Sequence, residues 1–171
     1  SGYGLDGETE IRCLRILARV ASTVPQTILR TFLGAHALPD EYAGDHSGYL
    51  AYLGREVLPE VAREGLADFV DVFCEKGVFT PEESRRHLRD ALDLGFRVRI
   101  HADEFHDTGG AGLAVELGAM SADHLLSVSP ENVARMASSD TVATLLPGTA
   151  LFLNKPFPPG RALLDAGAAV A

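Results

Sequence analysis

The sequence predicts an α/β fold, and more closely an incomplete (β/α)8 barrel. Short apolar β-type runs alternate with amphipathic helical patterns, which is typical of βα units around a parallel sheet. Six strands are predicted, and a seventh if residues 1–4 close a strand that lies upstream, whereas a flavodoxin-like sheet has five. The chain has 171 residues, fewer than the roughly 250 of a complete barrel. We therefore expect a partial barrel that runs from about the end of strand 2 to the start of strand 8.

The predicted elements follow one another in a regular order. Strands are predicted over residues 27–33, 69–74, 97–101, 122–125, 141–146 and 168–171. Helices are predicted over residues 6–22, 46–63, 80–95, 109–117, 129–138 and 158–166. Asp6 suits the N-cap of the first helix. Thr80, Pro81 and Glu83 are typical of a capped helix start with a capping box.

Composition and charge exclude some classes of partner. The formal net charge of −9 and the isoelectric point near 5.0 argue against a nucleic acid or an anionic membrane surface. No stretch approaches the roughly 20 apolar residues of a membrane span. The two cysteines, Cys13 and Cys74, lie far apart in no metal-binding spacing, which fits a reducing cytoplasmic setting. We expect a cytoplasmic protein that acts on a small molecule.

Polar side chains follow several predicted strands, where catalytic groups lie in a barrel of this kind. They are His36, Glu75, His101, Asp103, Glu104, His124, Asn154 and Lys155. His101 and Glu104 together offer a metal ligand and a base for a metal-activated water, although a solvated polar strand end is the alternative. His124 closes the next strand, so we expect His101 and His124 to face one cavity. A structural role for His124 remains the alternative.

Other candidate features give weaker signals. His87 lies in a helix that we expect to be exposed, so we predict a surface position, and His46 and His106 lie in polar loops. The glycine-rich run 109–112 opens a helix and could present amides to an anion, but its spacing is wrong for a dinucleotide site. No nucleophile elbow, Walker motif or GxGxxG helix start is present.

Six segments, taken together and in order, resemble the imidazolonepropionase family of the amidohydrolase superfamily over essentially the whole chain. They are residues 1–5, 31–37, 71–79, 101–104, 121–125 and 145–148. The resemblance implies metal-dependent hydrolysis of a ring C–N bond of 4-imidazolone-5-propanoate. The product would be N-formimidoyl-L-glutamate, in histidine degradation. It also implies one zinc or iron ion per complete protein.

The resemblance also implies roles for individual residues. His101 matches the family's metal ligand on strand 5. Glu104 matches the carboxylate that contacts the substrate and handles the proton of the attacking water, and His124 matches the catalytic histidine of strand 6. Tyr3 and His36 match residues that line the substrate pocket.

Several family features are not found in these 171 residues. They are the His-x-His pair of strand 1, the strand-8 aspartate, the arginine for the propionate group and the small β-sandwich domain. We therefore expect residues 1–171 to be an incomplete barrel domain, truncated at both ends. By itself it should bind metal weakly or not at all and be inactive. Open strand edges predict self-association.

Two other interpretations remain open. The first is another amidohydrolase that acts on a cyclic amide or a nucleobase, since His101 and His124 are common to that group. Tyr3, His36 and the segment 101–104 favour the imidazolonepropionase family. The second is a non-catalytic α/β binding module, which would leave the strand-end histidines unexplained.

Overall fold

A computed structural model describes residues 3–171, so the strand end expected at residues 1–4 lies partly outside the described residues. Over these residues the structure contains five strands, β1 Thr31–Ala35, β2 Phe69–Cys74, β3 Arg97–Ala102, β4 Ser121–His124 and β5 Val142–Thr144. They form one sheet in the order β1-β2-β3-β4-β5, and the pairings of β1 with β2, β3 with β4 and β4 with β5 are parallel. The predicted α/β class is confirmed.

Strand register accounts for one difference from the sequence-based prediction. β1 begins at Thr31, which pairs with Phe69, and its last residue, Ala35, pairs with Val72. The first strand therefore lies at 31–35 and not at 27–33, because pairing with β2 sets its limits. The predicted last strand is present as a short pairing, in which the N–H of Ala143 donates to the carbonyl oxygen of Ala169 at 2.8 Å. Val170 forms a parallel bridge with Ala143.

Helices follow the strands, as the βα pattern predicts. They are α1 Gly7–Ala21, α2 His46–Tyr52, α3 Leu58–Arg63, α4 Pro81–Asp93, α5 Gly110–Glu116, α6 Pro130–Ala137, α7 Pro147–Phe152 and α8 Gly160–Ala166. A π-helical segment, Leu53–Val57, joins α2 to α3, so the helix predicted over 46–63 is continuous. The sequence-based prediction missed α7 and a short 3-10 helix at Asp40–Tyr42.

The predicted helix caps are present. The Asp6 carboxylate accepts a hydrogen bond from the N–H of Thr9 at 2.7 Å. The capping box of α4 is complete, because the N–H of Thr80 donates to Glu83 at 2.9 Å and the N–H of Glu83 donates to the Thr80 hydroxyl oxygen at 3.2 Å. Such reciprocal bonds satisfy amides that the helix itself cannot pair.

The described chain divides into two compact units. The first contains the residues up to Val72 together with Arg86–Val98, and the second contains Phe73–Arg85 with Arg99–Ala171. Each unit has its own buried apolar side chains. They include Leu14, Phe32, Tyr49, Leu58 and Phe69 in the first unit, and Phe79, Ile100, Leu125, Met136 and Leu163 in the second.

The prediction of a surface position for His87 is wrong. His87 is 1% exposed, and neither nitrogen of its ring has a hydrogen-bond partner among the described residues. Burial, with a smaller contribution from His36, lowers the pKa of His87 to about 4. Ser84, His87, Leu88 and Ala91 are all buried, at the i, i+3, i+4, i+7 spacing of one helix face. The polar composition of α4 obscured that pattern.

Among residues 3–171, no helix is both long and apolar enough to cross a membrane.

Candidate active site

Strands β3 and β4 bring together the histidines that the sequence placed at two successive strand ends. His101 pairs with Asp123 and Ala102 pairs with His124 in the parallel register. The two imidazole rings lie 5.2 Å apart between centroids. Nδ1 of His101 also lies 3.9 Å from Oδ2 of Asp123. The expected proximity of His101 and His124 is therefore observed within the second unit.

Glu104 completes this cluster. Its Oε1 lies 3.4 Å from Nδ1 of His124, and both side chains are 9% exposed. Burial raises the pKa of Glu104 above its ordinary value; His101 acts in the opposite direction, and the charge of Glu75 adds to the increase. A carboxylate with a raised pKa beside an imidazole is suited to taking up and returning a proton.

The backbone around the cluster adopts conformations that side chains usually avoid. Asp103, His124 and Leu125 have φ angles of 51°, 77° and 58°. Backbone hydrogen bonds hold these residues in place. The N–H of Leu125 donates to the carbonyl oxygen of Ala102 at 3.1 Å, and the N–H of Ser127 donates to the carbonyl oxygen of Asp103 at 2.8 Å. Left-handed conformations at residues other than glycine cost free energy and concentrate at functional sites.

Asp103 has a structural role at the start of α5. Its carboxylate accepts hydrogen bonds from the N–H groups of Thr108, Gly110 and Ala111 at 3.0, 3.1 and 3.0 Å. The amides that the glycine-rich run could present to an anion are thus bound by the chain's own aspartate. The interpretation of this helix start as an anion site is not supported.

Glu75 and His106 form a second pair in the same unit. Nδ1–H of His106 donates to Oε1 of Glu75 at 2.9 Å, and the side chains are 54% and 2% exposed, respectively. The sequence placed Glu75 at a strand end without a role. Asn154 and Lys155, which the sequence also suggested as strand-end candidates, are exposed and follow α7 instead of following β5 directly.

In the first unit, His36 follows β1 and is paired with a buried carboxylate. Nε2–H of His36 donates to Oδ1 of Asp71 at 2.9 Å, and each side chain is 2% exposed. Sequence reasoning did not select Asp71, although a carboxylate inside the apolar strand 69–74 was the available signal. The Tyr3 ring, 60% exposed, approaches the His36 ring edge-on at 6.0 Å between centroids.

Several of these side chains carry atoms that suit a metal ion. His36, Asp71 and His101 each offer an imidazole nitrogen or a carboxylate oxygen of the kind that binds zinc or iron. His101 is partly open to solvent, so its ring can reach a ligand. The donor types fit a divalent metal, and they do not distinguish zinc from iron.

Comparison with known sequences finds close relatives along the entire chain. It is 52% identical over 171 residues to the imidazolonepropionase of Clostridium tetani (strain Massachusetts / E88), which covers all of this chain and 41% of that protein. It is 50% identical over 172 residues to the imidazolonepropionase of Bacillus cytotoxicus, and here the match covers 40% of the relative. The chain thus spans about two fifths of the length of these relatives. No protein-family model matches the chain.

Comparison with solved structures identifies the fold. A zinc-bound adenosine deaminase from Xanthomonas campestris matches 92% of this chain with a TM-score of 0.63 at 18% identity, and the match covers 39% of that structure. An amidohydrolase from Brucella melitensis matches 99% of the chain with a TM-score of 0.60 at 20% identity, over 42% of its own length. These likenesses agree with the fold of a partial (β/α)8 barrel. Identity at about half of all positions shows that this chain, along its whole length, is similar to about two fifths of the length of the imidazolonepropionases of Clostridium tetani and Bacillus cytotoxicus.

Proposed function

We propose that the full-length protein containing this chain hydrolyses the ring C–N bond of 4-imidazolone-5-propanoate to give N-formimidoyl-L-glutamate, a step of histidine degradation. Three relatives that are about half identical along the whole chain carry the name imidazolonepropionase. The observation that supports the chemistry is the contact of 3.4 Å between the buried Glu104 carboxylate and His124, beside His101.

In this proposal His101 is a metal ligand and Glu104 is the base. A bound zinc or iron ion would supply the positive charge that lowers the pKa of the attacking water. Glu104 accepts a proton from that water and returns it to the ring nitrogen that leaves. The water oxygen ends on the ring carbonyl carbon, and the C–N bond breaks, so the atoms balance. His124 holds the Glu104 carboxylate and stabilises charge at the reacting carbonyl.

We assign Tyr3 and His36 to substrate binding, together with Glu104. The exposed phenol ring of Tyr3 beside His36 offers an apolar surface with a polar end, which suits a small heterocyclic ring. The Asp71 carboxylate accepts from Nε2 of His36, so it fixes the ring's orientation. The other imidazole nitrogen is then the one that faces a polar group of the substrate.

Steady-state assay of the purified full-length protein tests this proposal. We expect turnover of 4-imidazolone-5-propanoate that disappears when the metal is removed by a chelator and returns when zinc or iron is added back. Metal analysis should give about one ion per chain. Turnover of another cyclic amide or of a nucleobase, with none of the imidazolone, would contradict the assignment of substrate.

We further propose that a polypeptide of only these 171 residues is an incomplete barrel domain and is inactive. It contains no His-x-His sequence, and catalytic zinc sites take about three protein ligands. Metal-dependent hydrolysis by the isolated polypeptide would disprove this.

We also propose that this isolated polypeptide self-associates. Large apolar side chains of the second unit are exposed, among them Leu151 at 73%, Phe152 at 88% and Phe157 at 63%. Exposed apolar clusters favour association. Light scattering that shows a single monomer at all concentrations would contradict it.

A cytoplasmic location is proposed for the full-length protein, with neither a nucleic acid nor a membrane as partner. Both cysteines, Cys13 and Cys74, are free thiols, which suits a reducing compartment. Cell fractionation tests it, and recovery with the membrane pellet or outside the cytoplasm would contradict it.

A further inference from the structure

Glu75 directly follows β2, and its carboxylate is saturated with hydrogen bonds. Oε1 accepts from the backbone N–H of Lys76 at 2.8 Å and from Nδ1–H of His106 at 2.9 Å. Oε2 accepts from the backbone N–H of Phe105 at 2.9 Å and from that of His106 at 3.4 Å. Three of these four donors belong to the two residues that come directly after Glu104.

One of these bonds acts on Glu104 itself. The N–H of Phe105 belongs to the peptide group whose carbonyl is that of Glu104, so the bond to Glu75 fixes the orientation of that peptide. The residue before Glu104, Asp103, is itself held in place, because its carboxylate accepts hydrogen bonds from the N–H groups of Thr108, Gly110 and Ala111. The backbone of Glu104 therefore lies between two anchored carboxylates.

Glu75 has the properties of a fixed anion and lacks those of a proton carrier. Burial raises the pKa of its carboxyl, but hydrogen bonds from Phe105, His106 and Lys76 outweigh burial and lower the pKa below the ordinary value. Glu104 differs, since burial raises its pKa. Two neighbouring carboxyl groups with opposite shifts serve different purposes: one stays charged, and the other can exchange a proton.

We infer that Glu75 is a positioning residue for Glu104, acting through the Phe105 and His106 amides to hold the proposed base against His124. This inference rests on the proposed function. An error of about 1 Å in the position of a catalytic group can cost roughly 100-fold in rate. A residue that fixes the backbone of the base should therefore affect kcat more than substrate affinity.

The test is Glu75→Gln in the full-length, metal-loaded protein. The substitution keeps the size of the side chain but replaces one oxygen by an NH2 group, and both oxygen positions face N–H donors. We expect kcat to fall at least about 10-fold, with KM changed less than about 3-fold and the metal content unchanged. Glu131→Gln is the matched control, because Glu131 is exposed on α6, and it should leave kcat and KM unchanged.

A second variant keeps the test decisive if Glu75→Gln does not fold. His106→Ala removes one of the four bonds and leaves the backbone donors in place, so kcat should fall about 2- to 5-fold. Wild-type kcat in Glu75→Gln, or in His106→Ala when the first variant is unfolded, would overturn the inference. A fall in kcat for Glu131→Gln as large as that for Glu75→Gln would overturn the inference as well. Absence of turnover in the wild-type protein would instead contradict the proposed function.

Discussion

The two units each hold a buried imidazole beside a carboxylate, and the pairs differ in closeness and burial. In the first unit, His36 and Asp71 form a hydrogen bond of 2.9 Å with side chains 2% exposed. In the second, His124 and Glu104 lie 3.4 Å apart with side chains 9% exposed. The closer pair is suited to holding a ring in one orientation. The looser pair, in which the pKa of Glu104 is raised, is suited to moving a proton.

This comparison teaches that contact between a histidine and a carboxylate does not by itself identify the base. The second pair combines a carboxyl pKa raised by burial with a partly exposed His101 alongside and strained backbone at His124. Variants that replace each carboxylate by its amide should therefore have opposite consequences for rate and for stability.

The largest effect is expected for Glu104→Gln in the full-length protein. If Glu104 is the base, kcat should fall about 100- to 10,000-fold, the range associated with loss of general base catalysis. The free energy of unfolding should not fall, because the amide removes the cost of burying a charged carboxylate. Steady-state kinetics, metal analysis and urea unfolding measure these quantities, with Glu131→Gln as the exposed control. A kcat within 10-fold of wild type would place the base elsewhere.

The next effect concerns His87, a buried histidine of the first unit that, unlike His36, has no hydrogen-bond partner among the described residues. Its pKa is lowered to about 4, whereas an unfolded histidine has a pKa of about 6.5. Between these values the unfolded chain binds a proton that the folded chain does not. The contribution of His87 should therefore lower the free energy of unfolding by up to about 3 kcal/mol as the pH falls from about 6.5 to about 4, and this contribution should change no further below pH 4.

Urea unfolding of wild type and His87→Leu between pH 7 and pH 4 tests this expectation. The free energy of unfolding of the variant should fall less between pH 7 and pH 4 than that of wild type, by up to about 3 kcal/mol. The contributions of the other titrating groups cancel when the two proteins are compared. His46→Gln, at the half-exposed start of α2, serves as the control. Parallel curves for wild type and His87→Leu would show that His87 is not buried in its neutral form.

The smallest effect is expected for Asp71→Asn, which tests the closer pair. An amide keeps the size of the side chain but removes the charged acceptor of the His36 N–H, which should cost about 1–3 kcal/mol in the free energy of unfolding. KM should rise more than kcat falls, because His36 is assigned to substrate binding. Unchanged stability, or a loss of kcat as large as that of Glu104→Gln, would contradict the distinction between the pairs. Asp140→Asn is the exposed control.

Local sequence patterns predicted much of the secondary structure. The caps of α1 and α4 depend on residues three positions apart, so Asp6, Thr80 and Glu83 could be identified without a fold. The strands β3 and β4, which carry His101 and His124 at or next to their ends, follow from short apolar runs. Parallel strands align their carboxyl ends, which predicted the proximity of these two histidines. Strand limits were less accurate, because pairing with a neighbour sets them, as at β1.

By itself, the sequence determined the α/β class, the helix starts and the strand-end residues His101, Glu104 and His124, because these depend on neighbours close in the chain. Only the tertiary structure decided which groups are partners. Asp71 binds His36 across 35 positions, and Glu75 binds Phe105 across 30. The burial of His87 was also decided there. Such contacts depend on strand order and helix packing, which bring distant residues together and remove water, and no local spacing records them.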